Sequence, residues 1–255
     1  MGKDSKIEWC KNSWNPWIGC THAGPGCDFC YAERWDARWG TPRWGKDAQR
    51  TRTSPANWAK PKTWNRAAAA AGVRERTFCA SLADVFDPHP SILPEWRTDL
   101  AALIAATPNL DWLLLTKRIG RAPKELARMF PGGVPAHVWL GATVVDQGEW
   151  DRDVPKLLRA KAALGLSKVF LSCEPLLGPI DPSTQPAATA PGGVDWIIVG
   201  GESGPQARTM DPDWARVLLD ACRGTPTCFF MKQMGGKAKP FAPIPDDLFE
   251  RSIPV

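Results

Sequence analysis

The sequence predicts an α/β protein built as a partial TIM barrel of about six β/α units. Three observations lead to this prediction. From about residue 66 onward, short apolar runs alternate with segments of helical character. The runs are apolar on both faces, as buried parallel strands are. Polar residues follow each run, and in β/α barrels the residues after the strands gather at one mouth.

Six apolar runs are the predicted strands. They span residues 77–80, 112–115, 138–140, 169–171, 196–199 and 227–231. Five helices are predicted around them, at residues 65–71, 94–106, 123–130, 149–164 and 212–222. Asp211 before Pro212 is a favourable helix start, because Asp caps free N–H groups and Pro is tolerated in the first turn. This alternation is typical of right-handed β–α units around a parallel sheet.

The flanking segments are expected to be irregular. We expect one barrel domain over residues 1–236, with a basic, Trp-rich insertion at 34–66. Residues 175–193 contain many prolines and are predicted to form a loop or small insertion. The Pro-rich residues 237–255 are predicted to form a tail on the surface.

Composition points to a cytoplasmic protein without a membrane partner. The 255 residues contain no apolar run of membrane-spanning length. The polar residues 1–6 have no apolar signal core. Thiols stay reduced in the cytoplasm, so the eight cysteines are not expected to form a disulfide framework.

Three of the cysteines crowd into a loop rich in Gly and Pro. Cys20, Cys27 and Cys30 have the spacing C-x6-C-x2-C. Thiolates at such spacing bind zinc or an iron–sulfur cluster. Three thiolates on a [4Fe–4S] cluster leave one iron open to a ligand. In radical S-adenosylmethionine (SAM) enzymes that ligand is SAM, which yields a 5′-deoxyadenosyl radical.

Zinc is the alternative at the same cysteines. A closed zinc site needs a fourth ligand, for which Cys10, His22 and Cys173 are the candidates. The remaining cysteines 79, 222 and 228 lie in or beside apolar runs and are expected to pack in the core.

The segment 34–66 combines positive charge with indole rings. It holds nine basic residues against two acidic ones, and five of the fourteen tryptophans: 35, 39, 44, 58 and 64. Basic residues neutralise phosphates, and indoles stack on unpaired bases. The predicted nucleic-acid contacts are Arg43, Trp44, Arg50, Arg52, Lys60 and Lys62. The alternative is a solvated basic face that its tryptophans anchor to the barrel.

Several motifs together carry a family resemblance. They are S-K-I-E-W at residues 5–9, W-N-P at 14–16, G-C-D-F-C-Y-A-E-R at 26–34, L-T-K-R at 115–118, S-C-E-P-L-L-G at 172–178, V-G-G-E-S-G at 199–204 and F-M-K-Q at 230–233. With these motifs the chain resembles a phage and bacterial radical-SAM-like family over nearly its whole length. That family is distantly similar to spore photoproduct lyase, which repairs a thymine dimer in DNA.

The resemblance implies a radical-SAM-like partial TIM barrel with a [4Fe–4S] cluster and SAM. Cys20, Cys27 and Cys30 would hold the cluster, and a donor such as flavodoxin or ferredoxin would supply one electron. Either Arg118 or Lys117 is expected to pair with the SAM carboxylate.

Further positions at the predicted mouth have expected roles toward SAM. Glu202 or Asp84 is expected to accept from the SAM ammonium group. Gly200 and Gly201 are expected to allow close backbone approach to the ligand.

The motif at residues 172–178 adds candidates on the next strand end. Cys173 is expected to face the mouth, where its thiol could give a hydrogen atom to a product radical; the alternative is a small packing residue. Ser172, Glu174 and, on the last strand, Lys232 are candidate contacts to SAM or substrate. Glu174 and Lys232 could equally form a structural ion pair.

Three functions follow from these observations. The first is a radical SAM enzyme that repairs a photolesion or modifies a nucleobase, with DNA favoured over RNA. The second is a nucleic-acid-binding protein whose zinc or iron–sulfur site is structural. The third is a radical SAM enzyme acting on a small molecule or peptide.

Overall fold

The computed structural model describes residues 2–38, 40 and 42–254. Met1, Trp39, Thr41 and Val255 lie outside the described residues, and with them one tryptophan of the predicted basic segment.

An eight-stranded sheet curls into a half-barrel, with six helices in the described chain. The strands are β1 Gly2–Lys3, β2 Asn12–Ser13, β3 Trp17–Ile18, β4 Thr51–Arg52, β5 Glu75–Cys79, β6 Leu110–Thr116, β7 Val138–Thr143, β8 Lys168–Cys173, β9 Trp196–Gly200 and β10 Cys228–Gln233. The helices are α1 Tyr31–Ala37, α2 Pro55–Ala70, α3 Pro94–Ala105, α4 Ala122–Met129, α5 Gln147–Leu164 and α6 Pro212–Cys222. The sheet order is β1-β2-β5-β6-β7-β8-β9-β10, while β3 and β4 pair separately.

The six predicted strands are present as β5 to β10, all parallel to their neighbours. The five predicted helices are present as α2 to α6. Helix α2 begins ten residues earlier than predicted, because Ser54 caps it by accepting from the Asn57 N–H and Pro55 occupies its first turn. Both predicted bounds of the basic segment, residues 34 and 66, therefore fall inside helices.

Side chains alternate across each parallel strand. In β8, Val169, Leu171 and Cys173 pack in the layer between the sheet and the helices, while Phe170 points into the half-barrel. The inward residues of several strands form one aromatic cluster. It consists mainly of Trp9, Phe78, Trp139, Phe170, Trp196 and Phe230. Trp139, Phe170, Trp196 and Phe230 come from the early or middle part of their strands, so the cluster lies toward the amino-terminal end of the half-barrel, which we call its base.

Close ring contacts hold this base together. The Trp196 ring lies 5.9 Å from Phe230 and 6.4 Å from Trp139, both edge-on. Such pairs contribute roughly 0.5–1.5 kcal/mol each beyond their buried area. Gly141 leaves room for the Phe170 ring, because a Cβ there would lie 2.3 Å from the ring. Aromatic side chains thus fill one end of the half-barrel.

Two irregular segments complete the fold. The predicted loop at 175–193 contains only short 3-10 turns, at Pro182–Thr184 and Pro186–Ala188. The C-terminal tail does more than lie on the surface. Leu248 is fully buried, and the Ser252 N–H donates to the Phe229 carbonyl, so the chain end covers the free edge of β10. None of the described helices combines the length and apolar character needed to cross a membrane.

Candidate functional site

A cavity of about 710 Å³ opens above the aromatic base, at the carboxyl ends of the parallel strands. Its volume is within the range of pockets that bind small molecules and cofactors. Cys20, Cys27 and Cys30 all line it, and none of the other five cysteines does. The three cysteines and the polar residues after the strands are far apart in the sequence, yet they line the same cavity and therefore belong to one site.

The pair β3–β4 places the first cysteine. Trp17 of β3 pairs with Arg52 of β4, so the segment between the two strands starts and ends at this strand pair. Directly after β3, the Gly19 N–H donates to the Leu82 carbonyl, beyond the end of β5. Cys20 is thereby fixed beside the strand ends.

A tight turn brings the other two cysteines together. Residues Pro25–Cys27 form a 3-10 turn, and helix α1 begins immediately after Cys30. The turn packs closely on the start of α5. A Cβ on Gly24 would lie 2.5 Å from Glu149 Oε1, and one on Gly26 would lie 2.8 Å from Val145 Cγ1. Glycine is needed here for close approach of the loop to the barrel.

Arg208 clamps this loop, which we call the cysteine loop (residues 20–30). Its guanidinium donates to Asp28 Oδ2 at 3.0 Å and to the Pro25 carbonyl at 2.9 Å. It also donates to both carboxylate oxygens of Glu202, at 2.7 and 2.9 Å. No sequence pattern pointed to Arg208, because its partners are 6 and 180 residues away.

The clamp corrects the expected role of Glu202. Its carboxylate is taken up by Arg208 and does not line the cavity. Burial by itself would raise the pKa of Glu202, but the hydrogen bonds from Arg208 outweigh it and hold the pKa below its ordinary value. Glu202 is thus a support of the cysteine loop rather than a free acceptor for an ammonium group.

Gly200 and Gly201 also approach protein rather than the cavity. A Cβ on Gly201 would lie 1.9 Å from the Met234 carbonyl oxygen, and one on Gly200 would lie 3.2 Å from Glu174 Oε2. Neither glycine lines the cavity. The backbone at these glycines does pack closely, but against residues that follow the neighbouring strands and not against a bound ligand.

Arg118 and Asp84 line the cavity as one ion pair. Arg118 Nη1 donates to Asp84 Oδ2 at 2.9 Å and lies 3.6 Å from Cys20 Sγ. Asp84 also accepts from the Thr116 hydroxyl at 2.9 Å and from the Lys117 N–H at 3.2 Å. Asp84 lines the cavity as expected and already accepts from these three protein donors there.

Lys117 is the other candidate partner for the SAM carboxylate. It lines the cavity, and its Nζ makes no hydrogen bond or ion pair with any residue that the structure describes. Its Nζ lies 3.3 Å from the position that a Cβ on Gly26 would take, so it adjoins the cysteine loop. Of the two candidates for a carboxylate partner, Lys117 is the unpaired one.

Glu174 and Lys232 form a second ion pair in the cavity wall. Lys232 Nζ donates to Glu174 Oε2 at 2.6 Å, and the Ser172 hydroxyl donates to Oε1 at 3.3 Å. All three residues line the cavity, as expected. Glu174 and Lys232 form the expected ion pair, and because this pair faces the cavity it can also contact a bound ligand.

The structure corrects the expected direction of Cys173. Strand alternation turns its thiol away from the cavity, into the core between the sheet and the helices, where it is fully buried. Burial raises the pKa of this thiol well above its ordinary value. The placement matches the packing alternative, and Ser172 is the neighbour that faces the cavity.

Three of the predicted nucleic-acid contacts are engaged within the protein. Arg50 is completely buried and donates to Asp87 at 2.9 Å and to the carbonyls of residues 43, 45 and 48. Arg43 pairs with Asp36, and Arg52 pairs with Asp99 at 2.6 Å. Arg50 in particular cannot reach a phosphate, since its charge is neutralised in the interior.

The other three predicted contacts lie at two separate places. Trp44 is half-buried and lines the cavity together with Trp35. Lys60 and Lys62 are exposed on α2. The tryptophans of α2 follow the anchoring alternative: Trp64 is buried, and Trp58 packs edge-on against Trp14 at 5.1 Å.

The zinc candidates separate in the same way. Cys10 lies in the aromatic base and Cys173 in the core, whereas His22 lines the cavity and is hydrogen-bonded to Glu33 at 2.6 Å. Across residues 2–38, 40 and 42–254, no three His, Cys, Asp or Glu side chains are grouped closely enough for a single metal ion. Burial raises the pKa of the Cys20 thiol to about 12.

Comparison with known proteins yields a family and no further relative. No curated protein and no solved structure matches the chain. One family model, described as a protein of unknown function (DUF5131), matches residues 4–245. That match spans nearly the whole sequence, and the chain therefore belongs to the DUF5131 family.

Proposed function

We propose that this chain is a radical SAM enzyme acting on a nucleobase in nucleic acid, with DNA favoured over RNA. One observation carries the proposal. Three of eight cysteines, spaced along a loop, line one cavity at the carboxyl ends of a parallel half-barrel, and the other five do not. In barrel folds this end is where sites are built. We assign the half-barrel to the radical-SAM-like type on the same ground.

The donor set fits a [4Fe–4S] cluster. Thiolates around one zinc ion stand about 3.8 Å apart, since Zn–S bonds are ~2.3 Å long. A four-iron cluster takes thiolates that stand farther apart, and three cavity thiols would leave one of its irons open. Cys20, Cys27 and Cys30 would hold it. When bound, the cluster and SAM would supply a 5′-deoxyadenosyl radical that takes a hydrogen atom from the substrate.

The residues of the chain then have distinct tasks. Lys117, the unpaired cation beside the cysteine loop, is the partner for the SAM carboxylate. The Lys232–Glu174 pair presents both charges on the wall at 2.6 Å and can orient a polar ligand. The aromatic base excludes water from below, which protects reactive species from solvent. The electron would come from flavodoxin or ferredoxin.

The rim of the cavity supports a nucleic-acid substrate. Trp35 and Trp44 line it, and so do the exposed Lys3 and Lys6. Indoles stack on unpaired bases, and lysines neutralise phosphates. The cavity of about 710 Å³ cannot admit a duplex. A base must therefore be flipped out of its helix or lie in a single strand to enter.

Anaerobic turnover tests the proposal. Protein reconstituted with iron and sulfide should absorb near ~400 nm, as thiolate-ligated iron–sulfur clusters do. With dithionite and SAM it should release 5′-deoxyadenosine, and more of it when a thymine-containing oligonucleotide is added.

Two other outcomes lead to different functions. An intact cluster that releases no 5′-deoxyadenosine contradicts the enzyme and leaves the nucleic-acid-binding protein with a structural metal. Release that no oligonucleotide stimulates contradicts the substrate, and points to a small molecule or peptide.

A further inference from the structure

We propose that Arg118 sets the reduction potential of the cluster by donating a hydrogen bond to the Cys20 thiolate. This inference rests on the proposed function. It gives Arg118 a role other than pairing with the SAM carboxylate, and it makes Arg118 a positioning residue that acts through a ligand.

The contact itself is present in the structure. Arg118 Nη1 lies 3.6 Å from Cys20 Sγ, within the range of hydrogen bonds to sulfur. The same guanidinium donates through Nη2 to the carbonyl of Thr21, the residue after Cys20. Arg118 thus contacts both the sulfur and the backbone of the loop that carries it.

An ion pair with Asp84 holds the guanidinium in this position. Asp84 accepts from Arg118 Nη1 at 2.9 Å, and the Arg118 side chain is only 12% exposed. Asp84 in turn accepts from the Thr116 hydroxyl and from the N–H of Phe86, both at 2.9 Å. Because each link is fixed by the next, Arg118 is preorganised toward Cys20.

Among the described residues, this contact is specific to one of the three sulfurs. Within the part of the chain that the structure describes, Arg118 is the only charged side chain that donates to a cysteine of the site, and it does so at Cys20. The unpaired Lys117 adjoins the cysteine loop from the same strand end without donating to a sulfur.

The sign of the effect follows from charge. Taking up one electron makes the cluster and its thiolates more negative. A cation that donates to a thiolate stabilises this reduced state more than the oxidised one, and it does so strongly in a poorly solvated cavity. Hydrogen bonds to sulfur are one of the factors that set cluster potentials. Arg118 should therefore raise the potential and make reduction easier.

Potentiometric titration with dithionite, followed by EPR, tests the inference on reconstituted protein. Arg118→Gln removes the charge, and we expect a tenfold lower equilibrium constant for one-electron reduction, a potential about 59 mV lower. Arg118→Lys keeps the charge and loses the planar fork, so its decrease should be smaller. Arg121→Gln is the matched control, because Arg121 lies outside the cavity and is half-exposed. Its potential should stay equal to that of the wild type.

The outcomes separate the inference from the proposed function. Wild-type protein that holds no iron–sulfur cluster overturns both. A wild-type cluster with unchanged potentials in Arg118→Gln and Arg118→Lys overturns the inference alone. If Arg118→Gln takes up no cluster, Arg118→Lys provides the test. A lowered potential in Arg118→Lys supports the inference, and an unchanged potential overturns it.

Discussion

The cysteine loop and the basic segment that follows it are neighbours in sequence, yet the structure uses them in opposite ways. The three loop cysteines line one cavity. Two arginines of the basic segment instead pair with buried carboxylates: Arg50 with Asp87, and Arg43 with Asp36. Of the six residues predicted to contact nucleic acid, only Trp44 lines the cavity.

Cysteine spacing and positive charge are sequence signals of different range. Ligand spacing is a local property, because three thiols within eleven residues stay near one another along the chain and can share one cavity. A count of positive charges is not local. Whether an arginine faces solvent or a buried carboxylate depends on partners such as Asp87 and Asp99, which lie 37 and 47 residues farther along.

The largest expected effect is the loss of the cluster when a loop thiol is removed. Cys27→Ala should abolish absorbance near ~400 nm after reconstitution, because Cys27 is one of only three thiols in the cavity. Cys228→Ala is the matched control and should retain full absorbance, since Cys228 lies outside the cavity. Equal absorbance in the two variants would contradict the assignment of the cluster to the cysteine loop.

The next effect is on stability, in the basic segment. Arg50→Leu should lower the free energy of unfolding by about 3–5 kcal/mol, because the buried Asp87 loses its hydrogen-bonded partner and keeps only Arg118, at 3.9 Å. Lys60→Ala on exposed α2 should change it by no more than about 0.5 kcal/mol. Urea denaturation measures both. An Arg50→Leu protein of full stability but weakened oligonucleotide binding would restore the sequence-based interpretation.

The Arg208 clamp predicts a pH-dependent stability. Glu202→Gln should cost about 1.5–3 kcal/mol at pH 7, since it removes a charged acceptor from hydrogen bonds with Arg208. The folded-state pKa of Glu202 is lowered, so its contribution is complete above the unfolded value of ~4.3 and is lost as pH falls through the lower folded value. Unfolding at a series of pH values should show the two proteins converging in acid. A difference that stays constant from pH 7 to pH 3 would contradict this.

The smallest expected effect concerns nucleic-acid binding at the rim. Trp44→Ala should weaken single-stranded DNA binding by about 1–3 kcal/mol, the loss of one stacked base. The double variant Lys60→Ala, Lys62→Ala should lower mainly the salt dependence of binding. Fluorescence titrations at several salt concentrations compare the two. A larger loss of affinity in the lysine variant would move the binding surface from the cavity to α2.

Much of the fold was predictable because its signals are local. Apolar runs located the strands from β5 to β10, and the residues after them led to the cavity. The start of α2 was missed because its first ten residues are polar, aromatic and interrupted by Pro61. Arg208 and the outward thiol of Cys173 were missed for another reason. The position of Arg208 depends on partners far away in the sequence. The direction of the Cys173 side chain depends on which residues of β8 face the helices, and the sequence pattern does not determine this.

The central claim is that three cavity thiolates hold a four-iron cluster with one iron left open. EPR of the dithionite-reduced, reconstituted protein, recorded with and without SAM, tests it most directly. The claim predicts a [4Fe–4S] signal that changes shape when SAM is added, because SAM binds the open iron. Protein that instead holds one Zn²⁺ per chain and gives no iron signal would contradict it.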